Sequence, residues 1–313
     1  MPVLLLRQLA RAAGIFLVVT FSTFCLMYGN GEGVARATLG MSASASDVRR
    51  RMAELGLDRP LLVQFSDWLG GVFTGDLGHS YISGQSVAGA LEVRVPVTLA
   101  LTLITLALTA VIGVVLGVTA AVHGGWVDRV VQFLSVLGTA IPNFVVAIVL
   151  VFAFAVYYRA FPATGYTSPE ISPGGWLSSI TLPVLALLIG SVAGSAVQFR
   201  AAVLDNLGRD YVRTLRSRGI PERQILFRHV LRNAGGPGLT VLNLQLIGTL
   251  GGAVFVEQIF ALPGMGQLGN LSSQAGDVPM VMGTVLVTIV IVIVVNILGD
   301  LATMFLNPKA RTR

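Results

Sequence analysis

DNLGRDYVRTLRSRGIPERQILFRHVLR, residues 205–232, is the longest strongly polar segment of a 313-residue chain that is otherwise mostly apolar. Apolar runs long enough to cross a bilayer flank it on both sides, so it reads as a loop between two membrane spans. Arg200, Arg209, Arg213, Arg216, Arg218, Arg223, Arg228 and Arg232 lie in or beside it. Loops this rich in arginine stay on the cytosolic side. The internal order predicts two short helices with a break between them. Asp205 or Asn206 caps a first helix carrying Leu207, Tyr211 and Leu215, Gly219 supplies a left-handed stop, and Pro221 with Glu222 opens the second helix. Ile225, Leu226, Val230 and Leu231 share an apolar face on that second helix. Helices of about twelve residues reach about 18 Å, so the loop can protrude as a hairpin with a docking surface at its bend.

Composition supports a membrane setting. Hydrophobic residues make up 54% of the chain and charged residues 12%, against roughly a quarter charged in soluble domains. The net charge of +6 comes from residues at the ends of spans, which signals orientation rather than a nucleic-acid partner. Twenty arginines stand against one lysine, Lys309, and it follows Pro308. A phosphate-binding loop needs a lysine after glycine, so the chain has no such loop of its own. Cys25 is a lone cysteine, and His79, His123 and His229 are scattered without carboxylate or thiol neighbours at ligand spacing. No metal site, no cofactor and no catalytic residues are expected in this chain. Transport, not an enzymatic reaction, is the expected role.

Taken in order, Arg7 and Arg11 precede an apolar run that ends near Tyr28, giving a first span over about 7–28. A cleavable signal peptide, with Ala35-Arg36-Ala37 as its small-residue site, is the competing reading. Residues 1–94 therefore form an N-terminal span and an extracytoplasmic segment. In it Ser46 caps a short helix over 47–55 closed by Gly56, and Pro60 opens another with Leu61, Leu62, Phe65, Trp68, Leu69 and Val72 on one face. Arg49, Arg50 and Arg51 read as a solvated helix face. Residues 95–306 form the main transmembrane domain, with spans over about 95–122, 130–157, 180–203, 239–260 and 280–306 and the cytosolic loop at 205–232. The tail 307–313, with Lys309, Arg311 and Arg313, is cytosolic. The architecture expected is all-α with six transmembrane helices, both termini inside and 158–179 and 261–279 outside; the last stretch has no lysine or arginine. Pro263, Gly264 and Gly266 predict a tightly turned loop there.

Polar residues inside the spans divide into two groups. Thr98, Thr102, Thr105 and Thr109 lie on one face of span two that continues through Gly113 and Gly117, and Ser191, Ser195 and Gln198 repeat the pattern on span four. Hydroxyls and glycines allow close helix packing, and that is the expected use. Asn143, Gln198, Asn243 and Gln245 are costly against lipid and are the candidate lining of a translocation pathway. Glu257 and Asp300 sit towards the ends of spans, not at mid-depth, where a proton-coupled carrier would keep a carboxylate.

The run DYVRTLRSRG, followed by HVLRN and a proline, resembles the EAA loop of the membrane subunits of binding-protein-dependent ABC importers. It is most similar to the dipeptide, oligopeptide and nickel permease subfamily. LGLDRPL (55–61), GDLGHS (75–80), VPVTL (95–99), VFVEQIFALPGMGQL (254–268) and ILGDLATMFLNP (297–308) resemble the same subfamily in the same order. Leu215 stands where that subfamily has a small residue, and Gly235, Gly236 and Gly238 replace apolar residues, which predicts a looser start to span five. The resemblance implies a type I ABC importer transmembrane fold in a bacterial cytoplasmic (inner) membrane. It implies a second homologous permease subunit, two ATPase subunits that carry ATP and magnesium, and an extracytoplasmic binding protein. Asp210, Tyr211, Arg213, Thr214, Leu215, Arg216 and Gly219 become the residues that couple to the ATPase. The substrate class implied is di- or oligopeptides; nickel is the alternative within the family, and a stand-alone secondary carrier is the rival outside it.

Overall fold

The computed structural model describes residues 2–28, 31–40 and 42–306. The tail 307–313 and Gly29, where the polar extracytoplasmic segment begins, lie outside the described residues. Secondary structure among these is helical, apart from one isolated bridge between His79 and Ser86. The helices are α1 (Pro2–Tyr28), α2 (Gly31–Leu39), α3 (Ala45–Glu54), α4 (Leu61–Thr74), α5 (Val87–His123), α6 (Gly125–Ala140), α7 (Asn143–Leu150), α8 (Pro173–Leu207), α9 (Asp210–Ser217), α10 (Glu222–Gln224), α11 (Leu231–Ile259), α12 (Met265–Ala275) and α13 (Val278–Leu306). Two stretches wind as π-helix: Val151–Tyr157 continues α7, and Ile225–Val230 joins α10 to α11.

Helix lengths separate the membrane part from what projects beyond it. The 37 residues of α5, the 35 of α8 and the 38 from Glu222 to Ile259 correspond to about 50–57 Å. The hydrocarbon core is about 30 Å thick, so each helix carries its polar end well outside. Among the described residues, five helices are long and apolar enough to span. The expected third span, 130–157, is not one helix: α6 and α7 meet at 93°. Pro142 has no N–H to continue α6 and forces Ile141 into an extended conformation, ψ 119°. If the bent pair makes one passage, there are six.

The chain divides into two compact units, Met1–Val97 with Pro263–Ile293, and Thr98–Leu262 with Val294–Arg313. In the first, Phe24, Val34, Leu57, Val278 and Met282 form a buried cluster against which Tyr28, Phe65, Trp68 and Tyr81 pack. Ser44, not Ser46, caps α3, because it is the residue held extended three positions before the Asp47 N–H that it accepts at 3.2 Å. Pro60 opens α4 and a left-handed Gly75 closes it, but Leu62 on the expected apolar face is exposed. Asp277 precedes α13; its buried carboxylate accepts the Ser80 hydroxyl and, at 3.0 Å, the Tyr81 N–H. Burial raises the Tyr81 phenol above its ordinary value, and its hydroxyl lies 3.0 Å from that of Tyr28. The stretch 261–279, expected as a plain turned loop, contains α12. Turns flank that helix on both sides, one from Ala261, which takes a positive φ of 50°, to the residues before Met265, and one at the left-handed Gly276.

In the second unit α8 is the central helix, with α6, α7 and α11 packed around it. Of its most apolar stretch 61% is buried, against 11% for α1. Small residues set that packing. A Cβ on Gly117 would lie 2.7 Å from the Phe199 Cβ, and one on Gly138 would lie 2.7 Å from the Ala193 Cβ. Gly238 admits the Phe199 ring, whose Cε1 would be 2.7 Å from an added Cβ. The looser start of α11 predicted from the glycines of 235–238 is not what the structure has: the helix runs through them, and Gly236 and Gly238 are buried contacts. Thr98, Thr102, Thr105 and Thr109 are all buried. Thr98 donates to Glu257 at 2.6 Å and Thr102 bonds back to the Thr98 carbonyl, so this face is packing surface.

Candidate functional site

The polar loop begins later than its sequence suggests. Asp205 and Asn206 do not cap a new helix; α8 runs on to Leu207. The Asn206 side chain bonds back to the Ala202 carbonyl at 2.8 Å, and Asp205 pairs with Arg209 at 2.8 Å, so both side chains are used within or next to the last turn of α8. Gly208 and the extended Arg209 make the break, and α9 follows over Asp210–Ser217.

The end of α9 is a Schellman motif. The Gly219 N–H bonds to the Arg216 carbonyl at 2.9 Å and the Ile220 N–H to the Leu215 carbonyl at 3.2 Å. Gly219 holds φ at +73°, and an added Cβ would meet nothing within 4 Å. Its requirement is thus conformational, not spatial. Ile220 and Leu215 join the apolar cluster of Val203, Val212, Ile225, Val230 and Ala234, which gives the motif its hydrophobic contact.

This packing sorts the expected coupling residues. Tyr211 and Leu215 are half-buried and turn towards the loop's own core, with Leu226 and Leu231 from the next helix. Asp210, Arg213, Thr214 and Arg216 are exposed on the outer face. Arg213 reaches Asp210 at 3.5 Å, and Arg216 grips Glu222 across the turn with bonds of 2.5 and 3.1 Å. That guanidinium holds the Glu222 carboxyl below its ordinary value. A surface of fixed, hydrated charges on a hairpin with its own small core can take load from a partner without melting.

The pathway candidates separate as well. Asn143, in the first turn of α7, and Gln245, on α11, line one groove of about 360 Å³ at the α6–α7 break, together with Thr139, Gly190, Gly194 and Gly248. Gln198 is exposed and does not line it, and Asn243 packs against Gly299 of α13. One group escaped sequence reasoning. Arg200 on α8 makes a two-pronged ion pair with Asp128 in the first turn of α6. The two are 72 residues apart, and no local signal links them.

Comparison with known proteins agrees with this anatomy. The family of binding-protein-dependent transport system inner membrane components matches residues 113–312, and its N-terminal region matches residues 1–102. A peptide transport system permease protein of Brucella abortus (strain 2308) is 38% identical over 312 residues, 99% of each chain. The oligopeptide transport system permease protein AppB of Bacillus subtilis (strain 168) is 31% identical, with 99% of each chain covered. Among solved structures, an inward-facing conformation of the MetNI methionine ABC transporter superposes with a TM-score of 0.56 at 22% identity. The match covers 70% of this chain and 97% of that one, and it shows the fold.

Proposed function

Because the chain belongs to the binding-protein-dependent transport system inner membrane component family, we propose that it is one of two permease subunits of an ATP-driven importer of di- or oligopeptides. An extracytoplasmic binding protein delivers the substrate, and hydrolysis takes place on two separate ATPase subunits that hold ATP and magnesium. The loops 123–129 and 205–232 face the cytosol of a bacterial inner membrane, as do both ends of the chain, with 158–179 and 261–279 outside. The observation that carries the reading is the Schellman-closed hairpin of α9 and α10, with its apolar face turned inward and Asp210, Arg213, Thr214 and Arg216 outward. Closure of the ATPases moves this hairpin, and because it is rooted in α8 and α11 the movement reaches the helices around the groove. Tyr211, Leu215 and Gly219 keep its shape. Peptides are favoured over nickel by the names of the full-length relatives and by carboxamides, not imidazoles or thiolates, in the groove.

The test is binding and reconstituted uptake. The partner binding protein is titrated with di- to pentapeptides and with divalent nickel, and the assembled complex is assayed in vesicles for uptake and for ATP hydrolysis. The expected result is peptide binding, peptide uptake and stimulated hydrolysis only with the ATPases present. Uptake without them supports a secondary carrier, and nickel binding alone supports the other branch of the family.

A further inference from the structure

The groove at the α6–α7 break has a chemistry that the transport reading does not by itself specify. Pro142 carries no N–H, so the carbonyl of Gly138, four residues earlier, loses its helical partner on a wall of the groove. The Asn143 carboxamide is seated between two helices. A Cβ on Gly190 of α8 would lie 2.8 Å from its oxygen, and one on Gly252 of α11 would lie 2.7 Å from its nitrogen. Gln245 approaches from α11, with its oxygen 4.0 Å from where a Gly194 Cβ would be. Neither carboxamide hydrogen-bonds another protein group among the described residues. Both therefore keep a donor and an acceptor available to a visitor.

Two further features narrow the visitor. No lining residue is ionisable, so the groove offers no fixed charge to select or trap a charged side chain or a metal ion. Gly248, where an added Cβ would meet nothing within 4 Å, leaves its part of the groove wall without a side chain where an incoming chain would need close approach. A carboxamide presents one N–H donor and one carbonyl acceptor side by side, the pair that a peptide unit complements. We propose that Asn143 and Gln245 form a subsite that holds the main chain of a passing peptide, indifferent to its side chains. This rests on the reading of the chain as a peptide permease. It adds that selectivity for the peptide backbone is built into the membrane subunit.

The test uses the assembled complex in vesicles, with tri- and pentapeptides whose central residue is alanine, lysine or glutamate. Gln245→Leu removes one two-point contact, and uptake should fall roughly tenfold by a similar factor for all three side-chain classes. A fall confined to one class overturns the main-chain assignment, as does unchanged uptake. A second measurement does not depend on that variant folding. An added Cβ at Gly248 meets nothing within 4 Å, so Gly248→Cys in a Cys25→Ser background places a thiol in the groove. A peptide bearing a haloacetyl group should label that thiol during turnover whatever its central residue. Uptake without labelling removes the subsite and leaves the peptide permease standing. No uptake of any peptide by the wild-type complex removes both.

Discussion

Pro142 and Pro221 stand at the start of two helices in the same conformation, φ −60° and ψ 141°, and each helix passes from a short α segment into a π-helical one. Their surroundings differ in every other respect. Before Pro221 the chain reverses through Gly219 at positive φ, the last carbonyls of α9 are bonded, and Arg216 crosses the turn to Glu222. Before Pro142 there is no glycine turn; α6 ends, the chain bends by 93°, and the groove beside it is walled by glycines and two carboxamides. Proline starts a helix in both places, and the residues ahead of it decide whether the chain doubles back or only bends. Around Pro221 the last carbonyls of α9 are bonded and Arg216 is paired with Glu222. Around Pro142 the two groove carboxamides make no protein hydrogen bond among the described residues, and no lining residue is ionisable.

The largest effect should come from removing the reversal. Gly219→Val forces a branched side chain into the left-handed region at about 1–2 kcal/mol or more, which corresponds to roughly 5–30-fold in the population of the correct turn. Peptide uptake and the response of ATP hydrolysis to loaded binding protein should fall by that order, with membrane insertion intact. Gly219→Asn, which tolerates positive φ, should retain most of both. Wild-type behaviour of the valine variant in vesicles would show that the hairpin is not the lever.

The same chemical change made in two ion pairs sharpens the comparison. Asp128→Asn leaves the Arg200 guanidinium, mostly covered by protein, without its carboxylate, whereas Glu222→Gln frees an arginine that water already reaches. Thermal unfolding in detergent should drop clearly for Asp128→Asn and barely for Glu222→Gln. Equal drops would mean that the loop pair is structural in a way its exposure does not suggest.

A smaller effect is expected from Pro142→Ala, which restores an N–H to the bend. Spin labels at exposed positions 134 and 152 should report a distance shifted towards that of a straighter helix, with uptake reduced by roughly threefold. An unchanged distance would show that packing against α8, not the proline, holds the bend. The smallest effect is that of pH on the loop. The Glu222 carboxyl titrates below its ordinary value of 4.5, so the pair contributes at all pH values above that and is lost only as pH falls through the lower folded value. The pH dependence of coupling between pH 5 and 8 should owe nothing to this carboxylate; a titration in that window that disappears in Glu222→Gln would break the assignment.

The sequence made the spans legible because twenty apolar residues have few other uses, and the loop because glycine and proline punctuate it two residues apart at Gly219 and Pro221. The bend at Pro142 was equally present as a letter, but hydropathy averaged over a window passes over a single missing N–H. Asn143, Gln198, Asn243 and Gln245 look alike as costly polar residues. Only helix rotation, fixed by contacts such as Asn143 between Gly190 and Gly252, puts two of them in one groove and leaves the others elsewhere. The Arg200–Asp128 pair joins residues too distant in the chain for any local rule. The cap of α3 falls at Ser44 and not Ser46 because neighbouring serines can serve and geometry chose between them, whereas α9 begins after Arg209, with no side-chain cap, because α8 runs on to Leu207.

The π-helical stretches at Val151–Tyr157 and Ile225–Val230 hold about one residue more per turn than the α-helices they adjoin. In an α-helix, losing one residue rotates everything beyond it by about 100° and misaligns every later contact. At Ile225–Val230, which runs on into α11, the surplus residue can be deleted and the helix closes to ordinary winding, with both flanks still facing their neighbours; Val151–Tyr157 ends its helix and has no such second flank. A copying error that drops one codon within Ile225–Val230 is therefore absorbed where it occurs, and α11 keeps its register.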